Sequence, residues 1–346
     1  MKPSRRLELV VPCLLGPVTD ADAVARLQPA LPALAECLAR GDRLAETGDD
    51  GLAPVFGAFG FGPAERPAAA VSRHGEADAE RIATTDHWWL RADPVHLRVD
   101  TTHARLFGGY ALQLESDEAD RLVERLNAFF AEDGLVFEAP AADRWYLALE
   151  RAQDLQVQPP DRVAGRNVDA FMPEGEDARA WRAWLNEVQM LLHDAPVNAE
   201  RERRGALPVN SLWVWGGGSA PRPGEGPARV WSDDPVARGL ARLAGVAVDR
   251  PPAHAPPGDW PAGTTLVMEP AAREALVHGD IEGWLECLAA LERHWFAPAL
   301  DALRARRLDE LVIAPSDGRR FRVRRGALRR FWRRRRPWTH WLRSEQ

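Results

Sequence analysis

Residues Pro208-Val209-Asn210-Ser211-Leu212-Trp213-Val214-Trp215-Gly216-Gly217-Gly218-Ser219-Ala220-Pro221 read as an extended run that meets a glycine turn. Apolar and aromatic residues fill Ser211 to Trp215, and three glycines stop the run. Just upstream, Trp181, Trp184, Leu185, Val188, Leu191 and Leu192 repeat at three- and four-residue steps, which predicts a helix over Ala178 to His193 ended by Pro196. Just downstream, Arg229 to Trp231 predicts a strand, and Asp233, Asp234 and Pro235 mark the start of a helix that Gly245 follows. Further out come a strand at Thr264 to Met268, a helix from Ile281 to about Arg306 kinked at Pro298, and a strand at Glu310 to Ala314. At the other end, Leu7 to Leu15, closed by Gly16-Pro17, predicts a strand buried on both faces of a parallel sheet. A helical segment over Ala21 to Arg40 is interrupted near Pro29 and Pro32, and Gly48 to Pro67 reads as loop.

Between these halves lies a different pattern. Val95 to Val99, Ala104 to Phe107 and Tyr110 to Leu114 read as extended, and Ser116 caps a helix with an apolar stripe of Leu122, Val123, Leu126, Phe129 and Phe130. Gly134 stands where a left-handed terminator belongs, and strands follow at Leu135 to Glu138 and Trp145 to Leu149. The expectation is an α/β protein: a mostly parallel sheet flanked by helices over 1–92 and 151–317, a smaller α+β domain inserted at 93–150, and a tail at 318–346. Gln158-Pro159-Pro160 and Val248 to Gly263 read as linkers.

The 346 residues are 45% hydrophobic and 28% charged, enough apolar mass for one large or two modest cores, and this excludes a disordered chain. With 28 prolines and 27 glycines but no period, the chain is loop-rich rather than collagen-like. Cys13, Cys37 and Cys287 form neither a disulfide framework nor a metal-ligand cluster, which suits a reducing compartment. Lys2, Arg5 and Arg6 precede an apolar run, but Glu8 and Pro12 interrupt it and no small-residue cleavage site follows. No window reaches the roughly 18 apolar residues of a transmembrane segment, so a cytoplasmic location is expected.

The net charge of −6 averages two unlike parts. Lys2 is the only lysine, and twelve of the arginines follow Gly318 against the single acid Glu345, so this end carries +11 and the rest −17. Phe321, Phe331, Trp332, Trp338 and Trp341 interleave with those arginines. Arg324, Arg325, Arg329, Arg330 and Arg333 are therefore candidate anion-binding residues, because guanidinium forks suit phosphates and aromatics stack on unpaired bases. Nucleic acid, an unknown protein partner, an anionic lipid surface and docking onto acids such as Asp22, Asp49 and Asp50 of the same chain stay open as destinations for this segment.

The Pro208 to Pro221 segment, preceded by Asn198 and Arg201, resembles the Asn-x-x-Arg, Gly, Asn-x-x-Trp-x-Trp-Gly-x-Gly segment of archaeal-type cofactor-independent phosphoglycerate mutases, enzymes of the alkaline phosphatase superfamily. The likeness continues in order: Leu7 to Gly16 sits where that family has its first strand and metal loop, Val95 to Asp100 and the helix after Ser116 where it has its lid, and Met268 to Asp280 and Leu311 to Asp317 where it has its last metal segments. The overall pattern, tail included, is closer still to the RpfE-type regulatory proteins. The resemblance implies an alkaline-phosphatase-like core with an inserted lid-like domain.

At the positions that matter for chemistry the sequence departs from the family. The serine nucleophile's position falls near Gly51, with no hydroxyl between Asp50 and Pro63. The first metal aspartate falls at Pro12 or Cys13, the Asp-Glu-x-Gly-His segment reads Arg273-Glu274-Ala275-Leu276-Val277, and the terminal Asp-His pair reads Ser316-Asp317. Two-metal phosphoryl transfer needs several N or O ligands per ion. The resemblance therefore implies no catalytic residues, no metal and no cofactor, and a regulatory or binding role. A mutase or phosphatase with displaced ligands is the alternative. Candidate cleft residues are Asn210, Trp213, Trp215 and Gly216, expected beyond a strand's carboxyl end, together with Asn198 and Arg201 of the family segment and Arg273, Glu274, Asp280 and Asp317. His74, His87, His96 and His103, with Asp86, Asp93 and Asp100 between them, have no tight metal spacing and read as structural; His278 beside Asp280 reads as a polar pair at a helix entry.

Overall fold

A computed structural model describes residues 4–18, 24, 28–45, 51–63, 66–76, 87–99, 104–163, 166–256, 258 and 260–342. Along the chain the first elements are β1 (Arg5–Val10), α1 (Pro32–Arg40), β2 (Asp42–Ala45), α2 (Ala53–Ala58), α3 (Ala68–Glu76), β3 (Trp88–Val99) and β4 (Ala104–Gly108). There follow α4 (Ser116–Phe129), β5 (Val136–Ala141), β6 (Arg144–Leu149), α5 (Pro160–Val163), α6 (Ala178–His193), α7 (Pro196–Arg203) and β7 (Ser211–Gly218). The last are β8 (Arg229–Ser232), α8 (Pro235–Leu243), β9 (Ala247–Asp249), β10 (Gly263–Met268), α9 (Ala271–Val277), α10 (Ile281–Leu291), α11 (Ala297–Arg304), β11 (Glu310–Ala314) and β12 (Arg319–Arg324). They divide into two compact units, Met1–Glu65 with Arg222–Gln346, and Arg66–Pro221.

The first unit is built on a seven-stranded sheet ordered β2-β12-β11-β1-β10-β8-β9. Its pairs from β11 through β1, β10 and β8 to β9 are parallel, and β12 and β2 extend it antiparallel. The central strands carry mostly apolar side chains into the core, where Leu7, Leu9, Leu311, Ile313 and Val267 are fully buried. Helices cover the sheet, with Trp284, Leu288, Phe296 and Leu303 in the same core. The helix expected over Ala21 to Arg40 is helical from Pro32, where proline suits the first turn. Glu292 reaches back to cap it, accepting from the N–H groups of Ala33 at 2.6 Å and Leu34 at 3.0 Å. In the long helix expected to kink at Pro298, a π-helical turn over Glu292–Phe296 precedes the proline, and His294 O, four residues before it, accepts from Ala255 N at 2.9 Å.

The second unit holds an antiparallel five-stranded sheet, β4-β3-β6-β5 with β7 paired on β3. It contains the 93–150 block and extends beyond it on both sides to Arg66 and Pro221. α4 begins with a reciprocal capping box between Glu115 and Glu118, so Glu115 rather than Ser116 is its cap. Gly134 is left-handed at φ 69°, as expected. Tyr110 to Leu114 is not a strand: Gly109, at φ 51°, starts a 3-10 turn over Gly109–Ala111. Gln158 to Pro160 leads into the short α5, with the second unit on both sides of it, rather than linking domains.

The basic end is not a free tail. Arg319–Arg324 is strand β12, whose period-2 alternation buries Phe321 and Val323 and turns Arg320, Arg322 and Arg324 outward. Beyond it, Trp338 is buried against Trp284 at 5.8 Å and donates its indole N–H to Pro29 O at 3.1 Å. No helix among the described residues is long and apolar enough to cross a membrane.

Candidate functional site

Parallel pairing of β1 with β10 and β11, and of β10 with β8, puts Val10, Met268, Ala314 and Ser232 at one edge of the sheet. The segments that leave this carboxyl edge are Pro12 to Leu15, Asp233-Asp234, Glu269-Pro270 and Ser316-Asp317. This is where ligand sites of parallel sheets form.

At that edge three of the positions singled out above meet. A Cβ placed on Gly51 would lie 3.4 Å from Arg273 Nη1 and 3.6 Å from both Cβ and Cγ of Pro12. The Arg273 guanidinium, in the first turn of α9, also stands 4.0 Å from Asp234 Oδ2. Asp234 is buried and spends its other oxygen on capping α8, accepting from Val236 N at 2.9 Å and Ala237 N at 3.1 Å. Next to these, burial and the nearby charge of Asp233 push the Glu269 carboxyl up to about 7.

The remaining candidates of the first unit are placed differently. Glu274 is exposed in the first turn of α9, and Asp280 is an exposed cap of α10 that accepts from Gly283 N at 2.8 Å. His278 lies exposed in the turn before it. Asp317 is buried, but its carboxylate holds Arg319, accepting from the backbone N–H at 3.1 Å and from Nε at 2.7 Å. Among the described residues no group of His, Cys, Asp and Glu is placed to hold a metal ion. Asp22, Asp49, Asp50, Asp86, Asp100 and His103 lie outside the described residues.

The Trp-rich candidates belong to the second unit. Because β7 pairs antiparallel with β3, the parallel-sheet rule that suggested a cleft beyond its end does not apply. Their polar groups serve the backbone instead. Asn198 donates to Leu192 O and Val209 O, each at 2.7 Å, and accepts from Val209 N at 2.8 Å. Asn210 clamps Leu97, accepting from its N–H at 2.7 Å and donating to its carbonyl at 2.9 Å. Arg201, fully buried, donates to Leu207 O at 2.9 Å, to Leu112 O and to Glu118 Oε2 at 2.5 Å. Trp213 donates to Gln158 O at 2.9 Å. Trp215 donates to Asp93 Oδ2 at 2.7 Å, while Arg91 grips the other oxygen at 2.6 Å. Burial raises the Asp93 carboxyl against the pull of Arg91. Gly216, at φ 67°, leaves no room for a side chain, since its Cβ would lie 3.0 Å from Ala68 Cβ. The histidines are dispersed: His74 contacts Ala70 O and His96 contacts Pro208 O, and His87 packs beside Trp89.

Of the basic-end candidates, Arg324 pairs with Glu310 at 2.5 Å and Arg330 with Asp42, so both are occupied within the fold. Arg333 donates to Gly41 O at 2.7 Å, and the guanidinium groups of Arg325 and Arg329 have no hydrogen-bond or ion-pair partner among the described residues. Glu269 carries no motif in the sequence, and Asp234 signals only a helix start; their positions, one residue after β10 and two after β8, are the signal that marks them.

With this geometry in view, the chain is similar to cofactor-independent phosphoglycerate mutases. It is 28% identical over 138 residues to the 2,3-bisphosphoglycerate-independent phosphoglycerate mutase of Methanosarcina mazei, covering 38% of this chain and 35% of that enzyme. The corresponding enzyme of Methanosarcina acetivorans is 27% identical over 218 residues, 60% of this chain and 53% of the enzyme. A probable enzyme of the same name from Geobacter sulfurreducens is 25% identical over 220 residues, again 60% and 53%. The matches thus span from about a third to about half the length of these relatives. No protein-family model matches the chain. Among solved structures, the PH0037 protein of Pyrococcus horikoshii superposes with a TM-score of 0.53 at 14% identity, over 94% of this chain and 88% of that one, a likeness of fold.

Proposed function

We propose that this chain is a non-catalytic relative of the phosphoglycerate mutases, of the RpfE-type regulatory group, and acts by binding an anionic ligand or a protein partner in the cytoplasm. The observation that carries the reading is the setting of Gly51, where a Cβ would lie 3.4 Å from Arg273 Nη1 and 3.6 Å from Pro12. By the resemblance Arg273 stands at one metal aspartate's position, the nucleophile's position falls near Gly51, and the first metal aspartate's falls at Pro12 or Cys13. Glycine supplies no nucleophile, proline no side-chain ligand, and a guanidinium repels a divalent cation while pairing with phosphate or carboxylate. The paired metal ions of the family do not fit this donor set: Asp317 is committed to Arg319, and Glu274 and Asp280 stand exposed.

The test is a mutase assay of the full chain with 3-phosphoglycerate and added Mg2+, Mn2+ or Zn2+, paired with calorimetric titration of the same compound. The expected result is no turnover above the protein-free blank, and any binding of 3-phosphoglycerate lost in Arg273→Ala. Metal-dependent turnover that Asp280→Ala abolishes would instead establish an enzyme with displaced ligands.

A further inference from the structure

The basic end of the first unit walls a recess of about 960 Å³ beside the edge strand β2. Arg43 of β2 lines it together with Trp332, Arg333, Arg334, Arg335 and Arg336. Its charge is out of balance. The buried carboxylate of Glu36 serves three guanidinium groups, Arg40 at 2.9 Å, Arg304 at 3.1 Å and Arg335. Asp42 is held by Arg330 and lies 4.0 Å from Arg322. Arg333 spends one nitrogen on the carbonyl of Gly41, at the end of α1. Arg43 and Arg334 have no hydrogen-bond or ion-pair partner among the described residues. The acids thus fix the backbone of the segment and leave a positive surplus facing the recess.

Two aromatic rings stand in water next to that surplus. Trp332 is 66% exposed and Phe331 82%, edge to face at 5.2 Å, in a protein that buries most of its other tryptophans. Exposed rings interleaved with arginines combine a stacking platform with a phosphate-binding channel. We propose that this recess binds single-stranded nucleic acid, with Arg43, Arg334 and Arg336 on successive phosphates and a base stacked on Trp332. A lipid surface calls for basic and apolar groups on one outward plane. Here Arg43 of β2 and the arginines of the 333–336 run line one concave recess. An acidic peptide would use the charges and leave the ring faces idle. This surface is separate from the Arg273 site, and its test is independent of that reading.

The experiment is fluorescence anisotropy of the full chain with labelled 15-nucleotide oligo(dT) and oligo(U), from 50 to 300 mM salt. Binding is expected at the low-salt end, with log K falling against log salt at about −0.7 per phosphate neutralised, hence roughly −2 for three contacts. Trp332→Ala and Arg334→Glu, checked as folded by circular dichroism, should each weaken it about fivefold or more. Arg203→Glu, on α7 of the second unit, should leave it unchanged. Failure of the wild-type chain to bind either oligonucleotide at 50 mM salt overturns the proposal. So does wild-type affinity in both folded recess variants, or binding to phosphatidylserine vesicles without binding to the oligonucleotides.

Discussion

Arg201 and Arg334 are the same residue type put to opposite uses. In the second unit, Arg201 is fully buried with Glu118 and two backbone carbonyls around it, a cation whose bonds are all internal. In the first unit, Arg334 lies on the surface in a run where guanidinium groups outnumber the carboxylates that hold them. Arg273 is partly buried and 4.0 Å from Asp234, at the carboxyl edge of the parallel sheet. Arginine count therefore says little until each guanidinium is matched with its acceptors. Where the acceptors are complete the residue is structural, and where they run short it is available to a ligand.

The contrast makes predictions of graded size. Arg201→Ala leaves Glu118 buried beside Arg204 alone and strips two carbonyls of their donor, so it should destabilise the chain by about 3–5 kcal/mol in a denaturant titration. A loss under 1 kcal/mol would break the distinction at its buried end. A smaller effect is expected at the strand-end site, where Glu269 is raised from an ordinary value of 4.5 to about 7. Between those values the unfolded carboxyl has ionised while the folded one keeps its proton, so this group makes stability fall as pH rises, with no further loss above about 7. Glu269→Gln should match the wild type in melting temperature near pH 4 and exceed it near pH 8; equal melting temperatures at both would remove the burial argument. Smallest of all, Arg334→Glu should change stability by no more than about 0.5 kcal/mol, because its guanidinium has no ion-pair partner among the described residues.

Much of the first unit's sheet was legible. The apolar runs at Leu7, Thr264 and Glu310 and the Asp234-Pro235 helix start each carry a local signal, and each appears where that signal stood. The sheet that β7 joins was not legible, because its partner β3 lies more than a hundred residues earlier and pairing over that distance leaves no local mark. Asn210 shows the consequence: its strand-end position suggested a cleft, while its amide clamps the backbone of Leu97. At Arg319–Arg324 the period-2 signal of Phe321 and Val323 was present, but the charge between them led to a tail. At the candidate site, Gly51, Pro12 and Arg273 could be paired only through the family resemblance, since nothing local relates residues so far apart.

If the Arg273 guanidinium has replaced a metal-binding aspartate, as the family resemblance implies, the chain has no place for the paired ions. Calorimetric titration of the full chain with Mn2+ measures this, with no stoichiometric binding expected and no gain or loss of signal in Asp317→Ala or Asp280→Ala. Binding of two Mn2+ per chain, lost in either variant, would contradict it.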